Sequence, residues 1–506
     1  MDGFPVATIS ADSRRNTEQG SPARAGKDKR SGQPQYVATF VVNLATFSYG
    51  TCIGWLSPAT PTLQSRVTAV GRNDVTEDDT SWLRSLVFLG FLCGIPFFCY
   101  VSDKFGRKVA GLSTAIPAII SWLIIILGSS TKLVLVGRFF AGLSAGGVLL
   151  IVPIYVAEIS EDSLRGALGT QVAIFADAGI LFSYVVGPYS SYHDFAIICL
   201  AVPVTFLATF LWMPETPVYF MVKGEFKKAR RSLRWFRGGK SHDMTDELTR
   251  MSVSLKETQG RNSSRSLIMN LLLDRAVRRA LIIGIAVSTT QILSGLYVIL
   301  SYNAADVSAI SPLIVSLILL TAAILACLLM DRAGRKLLLV SSEIVMGIFL
   351  TFMGVYFYLE GQGVDLSNVS FIPVVCLGLH LFSFGAGVGP VNVVLLSEIF
   401  PPHVRSVCAS ICIFVMALLA CAVSAFYSDL NNATGIHGPF WFIAAWCFLG
   451  AVFAKHCIPE TKNINVHSIY AELRGRECSL IRVKKSYDMR HTSNEYKLQI
   501  ALPSEN

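Results

Sequence analysis

Apolar runs of about 20 residues recur along most of the chain, separated by short polar stretches. A run of that length crosses a bilayer core as a helix. It must be helical there, because lipid offers no partner to backbone N–H and C=O groups. The pattern predicts twelve spans, starting near Tyr36, Ser81, Val109, Lys132, Gly166, Asp194, Arg278, Ala309, Lys336, Phe371, Val404 and Gly438. A long polar segment separates the sixth from the seventh. The expected fold is an all-α membrane bundle of twelve transmembrane helices in two six-helix pseudo-repeats, with short intracellular helices between the halves. Its expected divisions are a disordered cytosolic N-terminal tail (1–35), a first half (36–213), a cytosolic linker (214–277), a second half (278–458) and a cytosolic C-terminal tail (459–506).

Charge then sets the orientation. Only 15% of the 506 residues are charged, fewer than a soluble domain carries. The net charge of +9 is explained by where its basic residues lie, so no nucleic-acid partner is expected. Arg and Lys crowd both tails, "SDKFGRK", "EDSLRG", "DRAGRK" and the segment from Pro214 to Arg279. The opposite loops are poor in them: "VGRNDVTEDD" is net acidic and "GQGVDLSN" has no base. Both tails are therefore expected in the cytosol. The N-terminal tail is too long and polar for a signal peptide. The basic stretch "KGEFKKARRSLRWFRGGK" reads either as a solvated linker of short helices or as a subdomain touching the bundle or anionic lipid. Asn368 and Asn432 head glycosylation sequons in expected outside loops, whereas Asn262 falls on the cytosolic side and should stay bare. Nearly all twelve cysteines lie in apolar runs. They read as small buried side chains, not as a disulfide frame or a metal site.

Three patterns occur once in each half, in the same order. "DKFGRK" (Asp103–Lys108) is matched by "DRAGRK" (Asp331–Lys336), "EISEDSLR" (Glu158–Arg165) by "EIFPPHVR" (Glu398–Arg405), and "PET" at Pro214–Thr216 by "PET" at Pro459–Thr461. A duplicated six-span unit points to a transporter with its site between the repeats. Gly106 and Gly334 permit the tight turns of the short loops. Arg107, Arg165, Arg335 and Arg405 are suited to pair bidentately with Asp103, Glu158, Asp331, Glu398, Glu215 and Glu460. Such a network would hold the halves together when the outside is open. One exposed pair is worth only about 0–1 kcal/mol, so several must act together; the plainer reading is that these residues merely set topology.

These residues carry a resemblance. With "GRFFAG" (Gly137–Gly142), "VPIYVAEI" (Val152–Ile159), "RGALG" (Arg165–Gly169), "PETP" and "PETK", the chain resembles the sugar porter family of the major facilitator superfamily from Tyr36 to Thr461. "WLSPA" (Trp55–Ala59) and "SEIFPPHVR" are most similar to its insect facilitated trehalose and hexose transporters. The resemblance implies the major facilitator fold in the plasma membrane and rocker-switch movement of a hexose- or trehalose-like sugar down its gradient. It also implies no ATP, no metal and no other cofactor, and the chain has no phosphate-binding loop.

A sugar inside a membrane needs fixed polar groups in place of its water, since each stripped hydroxyl costs about 1–3 kcal/mol. Gln291, Ser294, Gly295 and Tyr302 share one helical face of the seventh span. Gln291 matches the first glutamine of the family's Q-Q-L-S-G-I-N segment, but Ile292 and Tyr297 replace its second glutamine and its asparagine. In "GPVNV" Asn392 and Val393 replace a proline and a tryptophan; Met416, Ala417 and Ala173 stand at other positions usually polar in the family. The candidate substrate set is Gln291, Ser294, Tyr297, Tyr302, Asn392 and Asp177. A carboxylate at the bilayer centre costs roughly 2.5–3.5 kcal/mol, so Asp177 should face a polar cavity or a neighbouring helix. It supports the alternative of another polar solute and of proton coupling through Asp177. Against this, Thr51 stands where proton-driven members have an aspartate. Glu343 is expected near the cytosolic end of the ninth span, within reach of the interface. His380 is expected to be a satisfied core histidine, and Gly142 and Gly146 to serve close helix packing. A non-transporting sensor that kept the scaffold is a further alternative. No catalytic layout is present, so an enzyme is not expected.

Overall fold

A computed structural model describes residues 33–64, 77–128, 130–161, 163–238, 247–248, 274–295, 312–401, 404–462, 469 and 472–473. All regular structure among them is helical. The first half contains α1 (Gln33–Gly54), α2 (Leu56–Gln64), α3 (Glu77–Phe105), α4 (Arg107–Leu127), α5 (Thr131–Ile159), α6 (Arg165–Val186) and α7 (Tyr192–Phe210). Two short helices follow, α8 (Pro217–Val222) and α9 (Phe226–Phe236). The second half contains α10 (Arg275–Leu293), α11 (Pro312–Ala333), α12 (Arg335–Gly361), α13 (Ile372–Ala386), α14 (Val388–Glu398), α15 (Arg405–Thr434) and α16 (His437–Cys457). Among the described residues, eleven helices are long and apolar enough to cross a membrane, α13 and α14 counting together as one. The remaining expected position is taken by α15, a helix of 30 residues whose apolar part is Arg405–Ala420. The chain is a multi-pass membrane protein with an all-helical bundle.

Two one-residue joints reverse the chain at equivalent places. Gly106 (φ 103°) separates α3 from α4, and Gly334 (φ 92°) separates α11 from α12. A side chain at either position would be strained in that left-handed region. Both joints lie at the end of the bundle that carries the duplicated charged loops, called here the charged end.

Lipid gives no hydrophobic drive between helices, so contact depends on how closely backbones approach. Glycines on α3 and α5 face each other's backbone. A Cβ on Gly90 would fall on the Phe139 carbonyl, and one on Gly142 on the Val87 carbonyl. Gly94 and Gly146 repeat the arrangement one turn on, against Leu143 and Phe91. The expected packing role of Gly142 and Gly146 is thus what is found. α1 meets α6 through Gly50, Gly54 and Gly179, with Phe40 on Phe175 (5.4 Å) and Phe47 on Phe182 (5.5 Å) beside them. The halves meet where α6 packs on α11 and α3 on α15; α14 also rests on α5 and α6. Buried Arg138 ties three helices together. Its guanidinium donates to the carbonyls of Cys52 (2.8 Å) and Leu83 (3.4 Å) and lies 5.5 Å over the Trp55 ring.

Glu343 departs from expectation. It does not reach an interface: it is 1% exposed, and its carboxylate packs against Gly450 of α16. Asn262 lies outside the described residues.

Replacing Gly142 by Val should cost on the order of 1–3 kcal/mol, the range for overpacking a tight contact. It should appear as a lowered melting temperature in detergent. Gly361, with nothing near its position, should accept Ala without change.

Candidate functional site

Each half buries one glutamate at the charged end of the bundle. Glu158 closes α5 and is 3% exposed; Glu398 closes α14 and is also 3% exposed. A carboxylate removed from water persists only with partners. Both find the same two. Arg107 Nε lies 3.2 Å from Glu158 Oε2, and Thr216 Oγ1 donates to that oxygen at 2.7 Å. Arg335 Nη2 lies 2.9 Å from Glu398 Oε1, and Thr461 Oγ1 donates to Glu398 Oε2 at 2.6 Å. The remaining guanidinium donors are used alike: Arg107 donates to the Ser102 carbonyl (3.2 Å) and Arg335 to the Met330 carbonyl (3.3 Å). Asp103 and Asp331 complete the sets, 3.8 Å and 3.2 Å from their arginines.

The sequence led to the expectation that Glu215 and Glu460 pair bidentately with arginine; instead they cap helices. Glu215 accepts the backbone N–H groups of Lys108 (2.9 Å) and Thr216 (2.8 Å). Glu460 accepts those of Arg335 (3.0 Å), Lys336 (3.1 Å) and Lys462 (2.9 Å). Each carboxylate thus sits on the N-terminus of α4 or α12, where free N–H groups and the helix dipole favour a negative charge. Burial pushes the Glu215 carboxyl up from its ordinary range, and the hydrogen bonds from Thr216 and Lys108 oppose that rise.

Several polar contacts among the described residues cross between the halves. Arg405 Nη1 lies 3.7 Å from Glu158 Oε1. Arg107 Nη2 donates to Ser406 Oγ at 3.4 Å. The Ala167 N–H donates to Asp331 Oδ2 at 3.0 Å, and the Cys327 thiol donates to the Ala167 carbonyl at 3.4 Å. Arg165 opens α6 at the same end and is half-buried. The threonines of the two "PET" patterns are the residues that sequence reasoning missed. The signal was available, because each recurs beside its glutamate in both halves.

The candidate solute residues lie elsewhere in the bundle. Gln291 and Asn392 meet: the Asn392 amide donates to Gln291 Oε1, joining α10 to α14. Asn392 is 2% exposed, and its own carbonyl oxygen has no hydrogen-bond partner. The expected polar face of the seventh span stops here. The helix ends at Leu293, because Gly295 turns the chain at φ 88°. Ser294 is buried and donates back to the Gln291 carbonyl at 2.7 Å, so its hydroxyl proton is committed within its own helix. Tyr297 and Tyr302 lie outside the described residues. Asp177 is half-buried on α6. Among the described residues, no cluster of His, Cys, Asp or Glu is suited to hold a metal ion. His380 is fully buried, but neither ring nitrogen has a hydrogen-bond partner, so it is not the satisfied histidine expected. Asn368 is exposed in a short loop helix, and Asn432 is exposed near the end of α15.

Comparison with known proteins agrees with this architecture. The family described as "Sugar (and other) transporter" matches residues 38–473. The chain is 32% identical over 454 residues to a facilitated trehalose transporter of Polypedilum vanderplanki, covering 87% of this chain and 88% of that protein. It is 31% identical over 450 residues to one from Aedes aegypti, covering 87% of this chain but 55% of that longer protein. Among solved structures, the proton:xylose symporter XylE bound to 6-bromo-6-deoxy-D-glucose superposes with a TM-score of 0.74 at 22% identity. That match covers 88% of this chain and all of the other. The inward-open conformation of XylE from E. coli gives 0.62 at 20% identity, covering 87% and 98%.

Arg335→Ala should cost about 3–5 kcal/mol by leaving Glu398 buried without its cation. Thr461→Val should cost less, about 1–3 kcal/mol for one lost donor. Thermal unfolding in detergent checks the order. Losses no larger than that of Lys227→Ala, on an exposed lysine of α9, would contradict this account.

Proposed function

The chain belongs to the sugar (and other) transporter family, and on that premise we propose that it carries a hexose- or trehalose-like sugar across the plasma membrane, down its gradient, by alternating access. The family consists of transporters, not enzymes. The observation that carries the reading is the amide pair of Gln291 and Asn392, set between α10 and α14. Amide groups fixed inside a bundle can replace the water that a sugar hydroxyl loses on entry. The Asn392 carbonyl oxygen still lacks a donor, and a sugar hydroxyl is a donor that fits it.

In this reading the two halves are the rigid bodies of the cycle, and residues 214–277 link them. The charged end and both termini face the cytosol, supported by the basic loops there. Asp103, Arg107, Glu158, Arg165, Glu215, Asp331, Arg335, Glu398, Arg405 and Glu460 form the gate. Contacts across the halves are made in this conformation, so the cytosolic gate is shut. Asn368 and Asn432 then face outward and carry glycans. A second reading, a transporter of another polar or cationic solute, is favoured by Asp177, a half-buried carboxylate within a span.

In proteoliposomes, a sugar panel should reveal saturable uptake that stops when the gradient is dissipated. Gln291→Ala and Asn392→Ala should each raise KM about tenfold, as the loss of one hydrogen bond of about 1.4 kcal/mol requires. Uptake of no sugar, with a cationic solute moved and lost in Asp177→Asn, would favour the second reading. On expression in animal cells, Asn368→Gln and Asn432→Gln should each remove one glycosidase-sensitive step in gel mobility.

A further inference from the structure

The basic stretch that follows the first half has no part in the gate or among the solute residues. Its helix α9 is held against the bundle by one face. Ala229, Leu233 and Phe236 recur at i, i+4 and i+7 and are fully buried. Phe236 lies 6.5 Å from the Tyr155 ring, and Tyr155 lies 5.2 Å from Phe210 at the end of α7. Polar bonds fix the helix further. The Ser232 hydroxyl donates to the Glu215 carbonyl. Buried Arg237, just past the helix, donates to the Ile159 carbonyl at 2.9 Å and pairs with Glu247 at 2.6 Å. The opposite face of α9 is therefore fixed outward.

That outward face carries one sign of charge. Lys223, Lys227, Lys228, Arg230, Arg231 and Arg234 are all exposed. The single acid in residues 223–236 is Glu225, which is taken by Lys228 at 2.9 Å. Arg230, Arg231 and Arg234 have no acid within ion-pair distance among the described residues. Like charges three and four residues apart oppose a helix. The helix dipole favours a base in the last turn, which accounts for Arg234 but not for the other two. Membrane topology needs basic residues near a span, not a docked helix that holds them on one face. A face that meets only water mixes both signs.

Aromatic rings stand among these bases. Trp235 is 39% exposed and Phe226 55%. Arg231, Arg234, Trp235 and Gly238 line an open cavity of about 470 Å³. Gly238, at φ 65°, ends the helix and leaves that side of the cavity without a side chain. The forked N–H groups of a guanidinium match phosphate oxygens, and an indole, apolar in body with one polar edge, suits a membrane interface. A soluble polyanion would engage the arginines but leave both rings in water. The bilayer is also close. Leu211 and Trp212 are largely exposed at the end of α7, where a tryptophan marks the headgroup level, and α9 follows one ring beyond Phe210, through Tyr155.

We propose that the outward face of α9, around Arg230, Arg231, Arg234 and Trp235, binds the phosphate headgroup of an anionic lipid in the leaflet beside the charged end. On the orientation proposed above this is the cytosolic leaflet, whose surface is negative. The arginines hold the phosphate oxygens, and the two rings rest against the bilayer surface. The proposal is independent of which solute the bundle carries.

The test titrates the full chain, in neutral detergent micelles, with a fluorescent phosphatidylinositol bisphosphate and reads anisotropy; phosphatidylcholine with the same label is the reference. The anionic lipid should bind saturably and the neutral one should not. Combining Arg230→Gln, Arg231→Gln and Arg234→Gln should weaken binding about 100-fold, or about fivefold for each base removed. Removing three exposed bases elsewhere at the charged end, by Lys104→Gln, Arg332→Gln and Lys455→Gln, takes away the same net charge and should weaken it less than about threefold. Soluble inositol trisphosphate should compete at least about tenfold more weakly than the lipid, because it offers nothing to the two rings. Equal binding of the anionic and neutral lipids would overturn the proposal. So would equal losses in the two triple variants, as bulk charge alone predicts. Trisphosphate binding as tight as that of the lipid would also overturn it and leave a site for free phosphates. The lipid comparison and the competition use unaltered protein, so they decide even if a variant fails to fold.

Discussion

A carboxylate buried beside a guanidinium is the interaction on which the charged end is built. Glu158 with Arg107 and Glu398 with Arg335 each join three chain segments within a half: a glycine joint, the end of a long helix and the segment after the sixth span of that half. Removing the ions from water is costly, and their attraction offsets this only where the remaining donors and acceptors are filled. Thr216 and Thr461 fill them on the acid side, and backbone carbonyls at Ser102 and Met330 on the base side. The glycine joints follow from the same need. A longer loop at Gly106 or Gly334 would not set the helix N-terminus where Glu215 or Glu460 can cap it.

The two halves repeat this construction but do not contact each other symmetrically. In one direction Arg405 reaches Glu158 and Arg107 reaches Ser406. In the other, Asp331 takes the Ala167 N–H at the start of α6. Gly166 allows that approach, because a Cβ there would fall on the Asp331 carboxylate. The acids thus have two tasks that sequence alone does not separate. Some hold a half together, and some lean across the boundary between halves.

Hydropathy made the spans legible, because a membrane fixes helix length and leaves little freedom in secondary structure. Repetition made the charged end legible: Glu158 and Glu398 could be named as a pair before any geometry was known. What remained hidden depends on facing, which an apolar run does not reveal. Glu460 looks like an ion-pair partner in sequence and is a helix cap in space. Ser294 looks like a cavity residue at helical spacing from Gln291, but the helix stops one residue before it at Leu293. Glu343 looks close enough to a helix end to reach water, yet Gly450 allows α16 to close over it. A glycine on one helix decides the environment of an acid on another, and nothing near Glu343 in the chain carries that information.

The lengths of the contacts bear on how such a gate can open. A ligand shifts a conformational equilibrium only by its difference in affinity for the two states. Moving a ratio from 1:99 to 99:1 requires about 5.5 kcal/mol, whereas one hydrogen bond contributes about 0.5–1.5 kcal/mol net. On the proposed reading, two amides binding a neutral solute would fall short of that figure, so a closed gate there would not be strongly favoured. The geometry fits this limit. Within the halves, the arginine–glutamate distances are 3.2 and 2.9 Å. Across them, Arg405–Glu158 is 3.7 Å and Arg107–Ser406 is 3.4 Å. Only the Ala167–Asp331 bond, at 3.0 Å, is short among these polar contacts across the boundary. Separation of the halves would break a few long contacts while Glu158 keeps Arg107 and Glu398 keeps Arg335; Arg405 would exchange Glu158 for water.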